Sequence, residues 1–96
     1  MSLPDSNTIQ KRYIISGKVQ GVGYRMFARK EALKLSMRGQ VKNLTSGEVE
    51  LIAIGSLDDH RKLNSKLQQG PILSRVDEVQ VIDEPLSNFS TFDIVH

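Results

Sequence analysis

Arg25 ends a run of mostly small residues, Gly17-Lys18-Val19-Gln20-Gly21-Val22-Gly23-Tyr24-Arg25, whose order suits the capture of an anion. Gly21 and Gly23 lack a Cβ, so the backbone can reach positive φ there and turn several N–H groups toward one point. A helix opening near Tyr24 adds unpaired N–H groups and the positive end of its dipole. Arg25 contributes a planar fork of donors that matches phosphoryl or carboxylate oxygens. Gln20, Gly21, Val22, Gly23, Tyr24 and Arg25 are therefore the candidate residues for binding an anion, a phosphate or a carboxylate.

A glycine-rich turn is by itself a weak signal, since a tight strand-to-helix connection carrying a surface arginine has the same composition. Two nucleotide motifs are excluded. A Walker loop ends in Gly-Lys-Ser/Thr, whereas Gly23 is followed here by Tyr24 and Arg25. The dinucleotide fingerprint requires a third glycine where this chain has Met26.

A second segment, Gly39-Gln40-Val41-Lys42-Asn43-Leu44-Thr45-Ser46-Gly47-Glu48-Val49, reads as a short strand, a turn over Thr45 to Gly47 and a strand running on to Gly55. Together the two segments resemble the acylphosphatase family, whose signatures are a G-x-V-Q-G-V-x-[FY]-R loop and a G-x-[AV]-x-N-x-x-x-G-x-V hairpin. Both signatures are present, in order and correctly spaced, and the likeness runs from about Lys11 to the C-terminus. Gln40 departs from the family's usual apolar residue, and Ser36 from a common glycine.

The resemblance implies a small free-standing acylphosphatase that hydrolyses acyl phosphates, with no metal and no cofactor. Inorganic phosphate is then product and competitive inhibitor. Catalysis would fall to Arg25 and Asn43. Loop N–H groups and the Arg25 guanidinium would hold the phosphoryl oxygens, while the Asn43 carboxamide, which is not basic, would orient water without deprotonating it. No general base is evident. An acyl phosphate has a good leaving group, so positioning and electrostatics can suffice, with the substrate's own phosphate accepting the proton.

Other polar residues read as structural. His60 is in register with Leu63 and Leu67 and is expected at a core edge, and His96 is expected to be mobile. Asp58 and Asp59 stand where a helix start favours negative charge; adjacent carboxylates at Asp77-Glu78 and Asp83-Glu84 point apart on a strand. Lys18, Lys42 and the helix cations Arg29, Lys30 and Lys34 are expected to face solvent.

These residues must be positioned by a single small domain. The chain has 96 residues and no cysteine, which excludes a disulfide framework and a thiolate zinc site. No apolar run approaches membrane-spanning length and residues 1–9 lack the hydrophobic middle of a signal peptide, so a cytoplasmic protein with a flexible N-terminal tail (1–9) and one domain (10–96) is expected. Residues 1–48 carry nine Lys and Arg against three Asp and Glu; residues 49–96 carry four against eight, so the anion loop lies in the basic half.

Tyr13, Ile15, Gly17 and Val19 alternate with polar residues as in a strand with one covered face. Tyr24, Ala28, Ala32 and Leu35 then share a helical stripe. Ser56 and Asp59 fit a capping box for a second helix, Leu63 and Leu67 face its core, and Gly70-Pro71 stop it. Val76 to Asp83 and Thr91 to Val95 supply the last strands. The order predicts an α+β, ferredoxin-like two-layer sandwich, βαββαβ with a short additional C-terminal strand, its antiparallel sheet covered by two helices on one face. Right-handed crossovers make the first two strands parallel with the third between them, so Arg25 and Asn43 meet at one edge, two strand spacings or roughly 10 Å apart. A monomer is expected.

Two other classes are compatible with parts of this pattern. A non-catalytic ferredoxin-like anion-binding or regulatory module could use the same loop, although a chain ending soon after its last strand favours a free-standing enzyme. RNA binding on the open sheet face would need an aromatic RNP-type strand, and none is present, so no nucleic-acid partner and no membrane partner are expected.

Overall fold

The computed structural model of the chain describes residues 8–96. Its elements are β1 (Ile9–Lys18), α1 (Tyr24–Lys34), β2 (Arg38–Asn43), β3 (Val49–Gly55), α2 (Leu57–Gln69), β4 (Arg75–Glu84) and β5 (Phe92–Val95). The tail expected over residues 1–9 lies outside the described residues as far as residue 7. Ile9, however, opens β1, and Gln10 beside it is buried.

The sheet order is β4-β1-β3-β2-β5, and the first four strands pair antiparallel, as the ferredoxin-like order requires. The fifth strand adds something that its sequence does not encode. Phe92 to Val95 lie alongside Gly39 to Lys42 in parallel, so the complete sheet is mixed. Phe92 and Ile94 supply the apolar side chains that dock this short edge strand against the core.

Alternation explains which face is covered. Tyr13, Ile15, Val41, Val49, Leu51 and Ala53 are fully buried against the helices, together with Tyr24, Ala28 and Ala32 from α1 and Leu63 and Leu67 from α2. Each of these side chains contributes on the order of 1.5–3 kcal/mol when fully removed from water, less for alanine. Gln40 belongs to the other face, opposite Ile52, which explains how a polar residue is tolerated there.

That open face carries paired charges: Arg12 bonds Glu50 and Glu84, and Lys42 lies 3.9 Å from Glu50. Tyr13, Tyr24 and Phe92 are all buried on the helix side, so the open face lacks the aromatic platform of an RNA reader.

Both helix ends follow from local chemistry. Ser56 caps α2, its Oγ accepting from the Asp59 N–H at 3.0 Å, with Asp58 and Asp59 in the first turn. Gly70 ends that helix at φ 67°, and its N–H bonds the Lys66 carbonyl. At the end of α1, the Met37 N–H reaches the Ala32 carbonyl and the Ser36 N–H reaches the Leu33 carbonyl, both at 3.0 Å. This is a Schellman closure, and it puts Ser36 at φ 56°, a left-handed position that glycine occupies more readily.

Gly39 is needed for close approach. A Cβ there would stand 1.8 Å from the Ile52 carbonyl oxygen, so any side chain would push β2 away from β3. The first glycine of the second signature thus holds the strand that ends in Asn43. None of the helices of the described residues is long and apolar enough to cross a membrane.

Candidate active site

The N-terminus of α1 is built differently from that of α2. Its N-cap is Gly23 at φ 79°, which offers no side-chain acceptor, and its first turn contains no acidic residue. The first helical bond runs from the Phe27 N–H to the Gly23 carbonyl, so the N–H groups of Tyr24, Arg25 and Met26 precede the intrahelical ladder. Gly21, at φ 74°, turns the preceding loop in the same left-handed sense, and a Cβ on either glycine would meet nothing within 4 Å. Here the need for glycine comes from backbone conformation, and the space it leaves is open. The result is a positive pole with neither a cap nor a counter-charge of its own.

Three contacts hold this loop. The Tyr24 ring is buried, and its hydroxyl donates to the Leu67 carbonyl at 2.7 Å, which pins the start of α1 against the end of α2. Val22 is half-buried against the core. Gln20 reaches across to the β2–β3 turn, where its Nε2 donates to the Leu44 carbonyl at 2.9 Å and the Glu48 carbonyl at 2.8 Å. The loop after β1 is thereby tied to the hairpin that begins after Asn43.

A cavity of about 300 Å³ lies between these elements, lined by Val19, Gly21, Gly23, Tyr24, Arg25, Met26, Asn43, Ile94 and His96. Arg25 and Asn43, 18 positions apart in sequence, thus share one wall system, as the parallel relation of β1 and β2 requires. Asn43 is exposed at the end of β2, and among the described residues its carboxamide has no hydrogen-bond partner. Of the six loop residues expected to hold phosphate, Gly21, Gly23, Tyr24 and Arg25 line the cavity. Gln20 and Val22 do not: one side chain is engaged by the hairpin and the other by the core.

His96, for which no role was expected, lines the cavity. Its Nδ1 stands 3.3 Å from Arg25 Nη1. The parallel docking of β5 beside β2 brings it there, and strand polarity at an edge leaves no mark in a four-residue strand. Arg29 also departs from a purely solvated role, since its Nε donates to the Phe92 carbonyl at 2.7 Å and ties α1 to β5.

His60 is buried far from this cavity's lining, as its register predicts. Its Nε2 faces the Ile9 carbonyl at 2.8 Å and its Nδ1 faces the Tyr13 hydroxyl at 2.6 Å. A carbonyl only accepts, so Nε2 carries the proton and Nδ1 accepts from tyrosine. Burial pushes His60 below its ordinary pKa, partly opposed by the Ile9 carbonyl. Burial likewise holds the Tyr13 and Tyr24 hydroxyls protonated, pushing both above the ordinary phenol range.

Comparison with known proteins agrees with this geometry. The acylphosphatase family model matches residues 11–94. An acylphosphatase of Petrotoga mobilis is 42% identical over 84 residues, covering 88% of this chain and 94% of that protein. The structure of an acylphosphatase from Coxiella burnetii superposes with a TM-score of 0.93 at 36% identity, covering 99% of this chain and 100% of that one. Full-length HypF in its phosphate- and nucleotide-bound form contains a similar unit, with a TM-score of 0.87 at 31% identity, over 93% of this chain and 12% of HypF. The open helix N-terminus, the arginine that follows it and the asparagine across the cavity thus stand in a chain whose whole fold is shared with these enzymes, and the chain belongs to the acylphosphatase family.

Proposed function

We propose that the chain hydrolyses the carboxyl–phosphate bond of acyl phosphates by positioning and electrostatics alone. The N–H groups around Gly21 to Arg25 and the Arg25 guanidinium receive the phosphoryl oxygens. Asn43 orients a water toward phosphorus, the bond from phosphorus to the carboxylate oxygen breaks, and the carboxylate departs with the bonding pair. The water's proton passes to a phosphoryl oxygen, so the products are a carboxylate and dihydrogen phosphate. A carboxylate is a good leaving group and needs no general acid.

The observation that carries this reading is the single cavity shared by the uncapped start of α1, Arg25 and the free carboxamide of Asn43. Arg25 and Asn43 then have separable duties. Arg25→Lys keeps the charge but loses the bidentate fork, so phosphate inhibition and turnover should fall together. Asn43→Ala should lower kcat by about 10²-fold, the scale of losing one preorganised donor, while the inhibition constant for phosphate barely moves. Equal loss of phosphate binding in the two variants would refute the division, and an unchanged kcat in Asn43→Ala would remove Asn43 from the site.

A further inference from the structure

The chain has three methionines and no cysteine, so its oxidisable sulfur is all thioether. The two methionines among the described residues stand in opposite surroundings. Met37 is 2% exposed in the core, whereas Met26 is 72% exposed and walls the cavity that holds Arg25 and Asn43. Exposure decides which thioether an oxidant in solution reaches first.

Position decides what that oxidation does. Gly23 is the N-cap of α1 and offers no side-chain acceptor, so Tyr24, Arg25 and Met26 occupy the first, second and third helical positions. In a capping box the side chain at the third position, Glu or Gln, reaches back to the N–H of the N-cap. A thioether accepts too weakly to do this, and the Gly23 N–H donates to no backbone carbonyl among the described residues. Oxidation to the sulfoxide places an S=O where glutamine carries its C=O, which makes a polar acceptor at the capping-box position without lengthening the side chain. We infer that Met26 is a redox modification site: its sulfoxide caps α1 from within, takes up a donor that the phosphoryl group needs, and so switches the anion cradle off. The inference rests on the proposed hydrolysis and adds its regulation. In the forward step a hydroperoxide passes its terminal oxygen to sulfur, whose lone pair forms the S–O bond while the O–O bond breaks and the remainder leaves as water or an alcohol. A methionine sulfoxide reductase reverses it, the oxygen leaving as water as a dithiol becomes a disulfide.

The test compares wild type, Met26→Leu and Met26→Gln before and after limited hydrogen peroxide. Peptide mapping locates the added oxygen, calorimetry gives phosphate affinity, and benzoyl phosphate kinetics and a thermal melt without phosphate complete the set. Peroxide should oxidise Met26 ahead of Met37 and weaken phosphate binding by wild type about tenfold, the scale of one withdrawn hydrogen bond to a charged group. KM for benzoyl phosphate should rise with it, and the reductase should restore both. Met26→Gln should show the same weakness with no oxidant, and the affinity of Met26→Leu should be the same before and after treatment. A new cap stabilises a helix, so oxidised wild type and Met26→Gln should melt no lower than untreated wild type. Oxidation of Met37 before Met26, oxidised Met26 with unchanged phosphate affinity, an equal loss in treated Met26→Leu, or a fall in melting temperature alongside the affinity would overturn the switch while hydrolysis stands. An untreated chain that neither binds phosphate nor cleaves benzoyl phosphate would overturn the proposed function and the switch together.

Discussion

Gln20 makes a demanding test, because its side chain is absent from the cavity lining and yet ties the loop on one side of the cavity to the hairpin on the other. Gln20→Leu keeps approximate size and removes both donors. The two lost bonds, at 2.9 and 2.8 Å, end on carbonyls that retain backbone donors: the Gly47 N–H on Leu44 and the Leu44 N–H on Glu48. Neither acceptor is orphaned, so each bond should cost its modest net value, and the pair about 2 kcal/mol. For a domain of this size that corresponds to a drop of roughly 10 °C in Tm. The kinetic effect should be larger than the thermal one suggests. With the clamp gone, the loop and the Asn43 hairpin move independently, and a misplacement of about 1 Å between reacting groups can cost 10²-fold in rate. Phosphate inhibition should weaken only slightly, since Arg25 and the helix N-terminus stay on one element. Benzoyl phosphate turnover, its inhibition by phosphate and a thermal melt measure the three effects on one preparation. An unchanged melt with full activity would show that the clamp holds nothing; loss of phosphate inhibition as deep as the loss of kcat would show that Gln20 supports the anion cradle itself.

Three further outcomes follow from local geometry. Ser36→Gly should raise stability by about 1 kcal/mol in denaturant titration, because it relieves a left-handed non-glycine residue in the Schellman closure of α1; a loss of stability would mean that chain entropy outweighs the relief. His60, neutral and buried among Tyr13, Lys11, Asp59 and Asp83, has a lowered pKa, so the unfolded chain takes up its proton first as pH falls. Its contribution is complete above its unfolded value of about 6.5 and is lost as pH drops from there through the folded value, with a slope of at most about 1.4 kcal/mol per pH unit. His60→Gln should flatten that limb, and an acid limb unaltered by the substitution would place its origin elsewhere. His96 and His60 should also differ by NMR: phosphate titration should shift the His96 ring signals in the cavity lining and leave those of His60 in place, and equal shifts would argue for a global change.

Much of this arrangement was legible because its causes are local. Alternation placed Tyr13 and Ile15 in the core, the 3.6-residue period placed Ala28 and Ala32 there, and Ser56 with Asp59 marked the start of α2. Right-handed crossover then made β1 and β2 parallel, which brings Arg25 and Asn43 to one edge. What was hidden depends on partners. A strand as short as Phe92–Val95 does not state whether it pairs parallel or antiparallel, and the position of His96 and the wall formed by Ile94 both follow from that pairing. The tie from the Gln20 side chain to the hairpin was hidden because a signature records that a residue is fixed without recording whether its side chain or its backbone is used. The same holds for Gly39, where the requirement comes from the Ile52 carbonyl and not from any ligand.

The central claim is that an arginine-backed helix N-terminus and a neutral carboxamide suffice to hydrolyse an acyl phosphate. Its most direct test is benzoyl phosphate hydrolysis by the pure chain in excess EDTA, with inorganic phosphate as inhibitor. The account predicts full turnover in chelator, competitive inhibition by phosphate, and poor cleavage of phosphate monoesters, whose leaving groups are worse than a carboxylate. A strict dependence on added Mg²⁺ or Zn²⁺, or phosphate binding without any turnover, would contradict it.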